Sequence, residues 1–152
     1  MIMPNIFDAA VVAEVVNRIN RLAPESKPQW GRMTVDQMLA HVNVSYIMVY
    51  DNDSPKPNWF MRQVLKLIVK NKVVGPAPYG RNLPTAPAFR MTGTKDFVAE
   101  KAKLIAYLDR VQRDGETTFS GKESASFGPL TAAEWNVLFY KHLDHHLTQF
   151  GV

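Results

Sequence analysis

Cysteine is absent from all 152 residues of the chain. Disulfides, thiolate metal ligands and a cysteine nucleophile are excluded, so any metal site must be built from nitrogen or oxygen. The same absence fits a reducing compartment, and the chain is expected in the cytoplasm. No apolar run approaches the ~20 residues that a bilayer-spanning helix requires. The segment Met1-Ile2-Met3-Pro4-Asn5 lacks the basic region and apolar stretch of a secretory signal. Alternation with period two is missing, so no sheet is expected. Gly-rich phosphate loops, aromatic platforms among basic residues, repeats and low-complexity tracts are missing as well. The net charge of +4 is gathered in part at Arg62, Lys66, Lys70 and Lys72. Without those companion features the cluster reads as a solvated helix face rather than a nucleic-acid surface.

Hydrophobic side chains make up 46% of the sequence, enough for a single domain over residues 1–152 with a substantial core. Helical periodicity predicts five helices. The first spans Asp8 to Leu22, with Val11, Val12, Val15, Val16, Ile19 and Leu22 on one broad stripe. A loop follows with Pro24, Pro28, Trp30 and Gly31. The second opens at Thr34, where Thr34-Val35-Asp36-Gln37 has the form of a capping box, and runs to Tyr50. Asp51-Asn52-Asp53-Ser54-Pro55 ends it. The third covers Trp59 to Val74, and Pro76, Pro78, Pro84 and Pro87 keep the next stretch irregular as far as Thr94. Thr94 is the expected cap of the fourth helix, Lys95 to Arg113, and a loop follows from Asp114 to Leu130. The fifth opens at a second capping box, Thr131-Ala132-Ala133-Glu134, and ends near Phe150, where Gly151 stops it. The expected fold class is all-α: a four-helix up-down bundle with one extra helix and two long loops.

Three histidines carry the chemistry. His142 and His146 are spaced i, i+4 and so share one face of the fifth helix. Trp135, Leu138 and Phe139 lie on the same stripe, which marks it as the buried face. His41 has the same setting on the second helix, beside Met38, Ser45 and Met48. Buried imidazoles are costly unless their nitrogens find partners, and one shared metal ion would satisfy all three. Singly, each could be a core histidine bonded to a carbonyl or water. Three nitrogen ligands with one position open match a catalytic metal site. Imidazole suits zinc, nickel, iron(II) or copper.

Gln37, one turn before His41, can either orient that ring or serve only the capping box. Gln149 stands in the same relation to His146. Glu134 is a conceivable base as well as a cap. Tyr46, Met48, Phe127, Trp135 and Phe139 are candidates for the wall of a pocket. His145 is placed outside the ligand set. The third helix sets Phe60, Val64, Leu67 and Ile68 against its Lys/Arg face; it would pack on its own bundle, on a second subunit or on a membrane surface.

These segments together resemble the DinB-like (YfiT-like) superfamily of metal-binding four-helix bundles. The resemblance rests on Met38-Leu39-Ala40-His41-Val42 and on His142, His146 and Gln149 at their i, i+4, i+7 spacing. Lys27 to Thr34, Asn82-Leu83-Pro84-Thr85-Ala86-Pro87, the stretch from Phe127 to Trp135 and the ending from His142 to Val152 look like one branch of unknown function. The resemblance implies that His41, His142 and His146 bind a divalent metal, zinc or nickel foremost. It also implies a thiol-dependent transferase or isomerase acting on a small molecule, with a low-molecular-weight thiol as partner and homodimers common. Many members follow the last histidine with Arg-Gly-Gln, whereas this chain has Leu147-Thr148-Gln149. Two functions are therefore expected to compete: a metal-dependent transferase or hydrolase, and a non-catalytic metal- or small-ligand-binding module.

Overall fold

Six helices follow from the periodic stripes, in a computed structural model that describes residues 2–51 and 56–152. They are α1 (Ala9–Asn20), α2 (Val35–Tyr50), α3 (Trp59–Val64), α4 (Lys70–Val74), α5 (Phe97–Phe119) and α6 (Ala132–Gln149). The turn expected at Asn52-Asp53-Ser54-Pro55 lies outside the described residues. α2 packs on α5 and α6, α5 also contacts α1 and α6, and α4 lies on α6. Ile19, Met38, Leu39, Leu104, Leu108, Leu143 and Leu147 fill the space between them and are fully buried. Arg18 ties α1 to the end of α6 through Asp144 at 2.7 Å and the Val152 carbonyl at 2.9 Å. No helix among the described residues is long and apolar enough to cross a membrane.

Local chemistry explains the helix starts. At α6, Thr131 Oγ1 accepts from the Glu134 N–H at 3.1 Å while Glu134 Oε2 accepts from the Thr131 N–H at 2.9 Å, a full capping box. At α2, Gln37 Oε1 accepts from the Thr34 N–H. The cap of α5 is Asp96, whose Oδ1 accepts from the Ala99 N–H at 3.0 Å, and not Thr94. A carboxylate also suits the positive end of the helix.

Three expectations are corrected. α5 runs past Arg113 to Phe119, because Gly115 takes φ 69° and lets the chain resume one more helical turn. That turn buries Phe119 against Phe7, Trp135 and Phe139. Second, a two-residue ladder pairs β1 (Glu123–Ser124) with β2 (Gly128–Pro129), too short to leave an alternating pattern. Third, the run 59–74 is helical throughout but contains a π-helical turn, Leu65–Val69, between α3 and α4. Two of its basic residues meet acidic partners, Arg62 with Glu123 and Lys70 with Glu134 at 2.8 Å, while Lys66 and Lys72 stay exposed. Trp59, Phe60, Leu67 and Ile68 are left exposed at 74, 69, 82 and 63%.

Candidate metal centre

Helices α2 and α6 run antiparallel: His41 meets His142 and His146, while Tyr46, further along α2, stacks on Phe139, earlier on α6. This brings the three imidazoles together. The Nε2 atoms of His41 and His142 are 3.0 Å apart, and one ligand atom from each ring lies within 4.8 Å of the others. Nitrogens that share one ion at about 2.0–2.1 Å must converge on this scale.

The far side of each ring is held. His41 Nδ1 is 2.8 Å from the Phe89 carbonyl, which can only accept, so Nδ1 carries the proton and Nε2 is a bare lone pair. His146 Nδ1 is 2.7 Å from Gln149 Oε1. The Gln149 amide is fixed in that sense because its Nε2 donates to the Trp30 carbonyl at 2.7 Å. His146 therefore also presents a bare Nε2. His142 Nδ1 is 3.1 Å from Ser45 Oγ, a hydroxyl that can donate or accept and so serves either tautomer.

Electrostatics agree with the tautomers. Burial, then the neighbouring His146 and His41, holds His142 well below the ordinary imidazole range. Burial, with His41 beside it, pulls His146 down to about 3. His41 is lowered by burial, which outweighs the favourable Phe89 carbonyl. All three are neutral at pH 7, the form that binds metals. The His41 and His146 lone pairs are aimed at one region, and His142 Nε2 lies 3.0 Å from that of His41, a donor set that fits a cation.

The histidines border a cavity of about 900 Å³. Of the expected wall residues, Met48, Phe127 and Trp135 line it. Tyr46 and Phe139 do not: each is 1% exposed, and their rings stack at 4.9 Å inside the core. Tyr46 is five positions from His41, which turns it about 140° away around the helix. Gln37 does not reach His41; its Nε2 donates to the Gly93 carbonyl at 2.9 Å, and the capping box holds its oxygen. The partner of His41 comes instead from the short 3₁₀ turn Pro87–Phe89 in the proline-rich stretch. Glu134 caps α6 and pairs with Lys70, and it is not part of the cavity wall. His145 lines the cavity outside the ligand trio, edge-on to Trp30 and Tyr79 with centroids 5.7 Å away. Ser45, one turn from His41 on the same face, was within reach of sequence reasoning. The Phe89 carbonyl was not.

Fold and site together define a mainly helical protein with a buried three-histidine group able to hold a metal ion. The chain belongs to the family described as protein of unknown function DUF1569, which matches residues 5–151. No curated protein and no solved structure matches it.

Proposed function

We propose that the chain is a single-domain DinB-like metalloprotein with a four-helix up-down bundle, in which His41, His142 and His146 hold one divalent ion. Zinc and nickel suit the three neutral imidazoles best, and iron(II) is accommodated by the same donors. The proposed activity is a metal-dependent reaction on a small molecule, either thiol-dependent transfer or hydrolysis. The observation that carries this reading is the convergence of the two fixed Nε2 lone pairs, with His142, beside a roomy cavity. A divalent ion bound there supplies Lewis acidity that lowers the pKa of a water or thiol.

The residues of the chain divide the remaining work. The Phe89 carbonyl and Gln149 hold two ligand rings in the tautomer that frees Nε2. Ser45 can pass its proton toward or away from His142 Nδ1. Among the described residues Glu123 is the one carboxylate on the cavity wall, and Arg62 pairs with it. The chain offers no cysteine, so a sulfur nucleophile would come from a co-substrate.

Titrating zinc or nickel into metal-free protein by calorimetry tests the reading. One ion per chain is expected for the native sequence, and His41→Ala should reduce affinity at least about a hundredfold by removing one of three ligands. Undiminished binding in that variant would remove the proposed ligand set.

A further inference from the structure

We propose that the ligand of this site is an amphiphile, with one metal-seeking head group at the histidines and an unbranched or aromatic apolar body of about six to eight carbons in length. This deepens the metalloprotein reading and rests on it. The shape of the cavity follows from the two antiparallel helices. Residues rise about 1.5 Å each, so Leu138 and Trp135 stand about 6 and 10 Å from His142 along α6. Ser45 and Met48 stand about 6 and 10 Å from His41 along α2, in the same direction. All four line the cavity. It is therefore a slot that starts at the imidazoles and continues about two helical turns.

Polarity changes along that slot. Beside the histidines lie Ser45 and Gln149; beyond them the α2 and α6 walls are Met48, Val49, Leu138 and Trp135. The third wall is the run 59–74, where apolar Leu65, Val69 and Val73 line the slot and Lys72 joins them. Leu65 and Val69 belong to the π-helical turn, whose wider winding leaves Leu67 and Ile68 outside while these two face the slot. At the far end the Trp135 indole donates to the Lys122 carbonyl at 3.3 Å, next to the hairpin whose Ser124, Ser126 and Phe127 reach the cavity. Where Met48, Val49, Leu65, Val69 and Leu138 face one another, no side chain can replace the hydrogen bonds of a polar co-substrate, whose hydroxyls and amides would lose water at a cost. An apolar body gains by burial, and about 10 Å accommodates a chain of six to eight carbons at ordinary bond lengths.

The test is a homologous series of n-alkyl hydroxamates, from acetohydroxamate to decanohydroxamate. Binding to zinc-loaded protein is followed by calorimetry, with metal content measured before and after. Affinity is expected to rise up to about fourfold per buried methylene and to level off near the octanoyl member. Leu138→Asn, in the middle of the slot, should flatten the series, and its zinc content reports whether the metal site is still loaded. Zinc-loaded protein that binds acetohydroxamate and octanohydroxamate equally would overturn the amphiphile and leave the metal site standing. Protein that takes up no zinc would overturn both.

Discussion

Gln149 connects the metal site to the loop beneath it. Its oxygen accepts from the His146 Nδ1–H and its nitrogen donates to the Trp30 carbonyl, so one amide fixes a ligand tautomer and anchors the entry to α2. Gln149→Ala should leave the helices intact and weaken metal binding about 10- to 100-fold, measured by competition with a chromophoric chelator. Gly31→Ala should act in the same direction: an added Cβ would stand 2.7 Å from Gln149 Nε2, at a φ of 81° that favours glycine. Unchanged affinity in both variants would show that the amide does not orient the ring. At this scale the sequence was legible where spacing alone decides. His142 and His146 are one turn apart on an apolar stripe, and Gln149 follows at the next turn. The support of His41 was hidden because a backbone carbonyl leaves no mark on a residue string; Phe89 supplies it only through the turn Pro87–Phe89. Gln37 was drawn to the nearer task of satisfying orphan N–H groups at the start of α2.

Among the elements, the run 59–74 depends most on a single distant residue. Lys141 on α6 is 6% exposed, and its three N–H donors meet three acceptors: the carbonyls of Lys72, Gly75 and Ala77 at 2.8, 2.6 and 3.1 Å. Burial draws the amine down to about 8, which leaves it charged at pH 7, and it lies over the Tyr79 ring at 4.4 Å. It thus closes the C-terminal end of α4, where carbonyls lack helical partners. Lys141→Met keeps the stem and strands the carbonyls. Urea denaturation should show a loss of about 1–3 kcal/mol, and amide exchange should quicken in 70–79. A variant as stable as the native chain would mean that water replaces the ammonium at no cost. Helix starts were readable where a full capping box marks them, as at Thr131 and Thr34. They were misread at α5, where Asp96 is a stronger cap than Thr94 and where Gly115 ends one segment without ending the helix. The π-helical turn had no readable signal, since Leu65 to Val69 is as apolar as any α-helical stripe.

For the molecule as a whole, three buried neutral histidines tie stability to pH. Their folded pKa values lie below the ordinary 6.5, His146 at about 3. Below about pH 6.5 the unfolded chain takes up protons that the folded chain refuses, so acid favours unfolding. Metal-free protein should therefore lose stability as pH falls from about 6.5 toward 3, by up to about 1.4 kcal/mol per pH unit for each such histidine. Between pH 7 and 8 these groups contribute no slope. Denaturation at pH 7.5, 6 and 5 reads this directly, and a flat profile would mean that the imidazoles gain their protons within the fold. The mainly helical plan was visible in the sequence because each stripe repeats near 3.6. The antiparallel meeting of α2 and α6 was not visible, and it is that meeting which turns three separated histidines into one site. The most direct test is elemental analysis of untagged protein purified without chelator, beside His142→Ala. About one divalent ion per chain is expected in the native protein, and none in a variant that still gives the helical circular-dichroism spectrum. No ion after incubation with zinc, nickel or iron(II), or full metal content in His142→Ala, would contradict it.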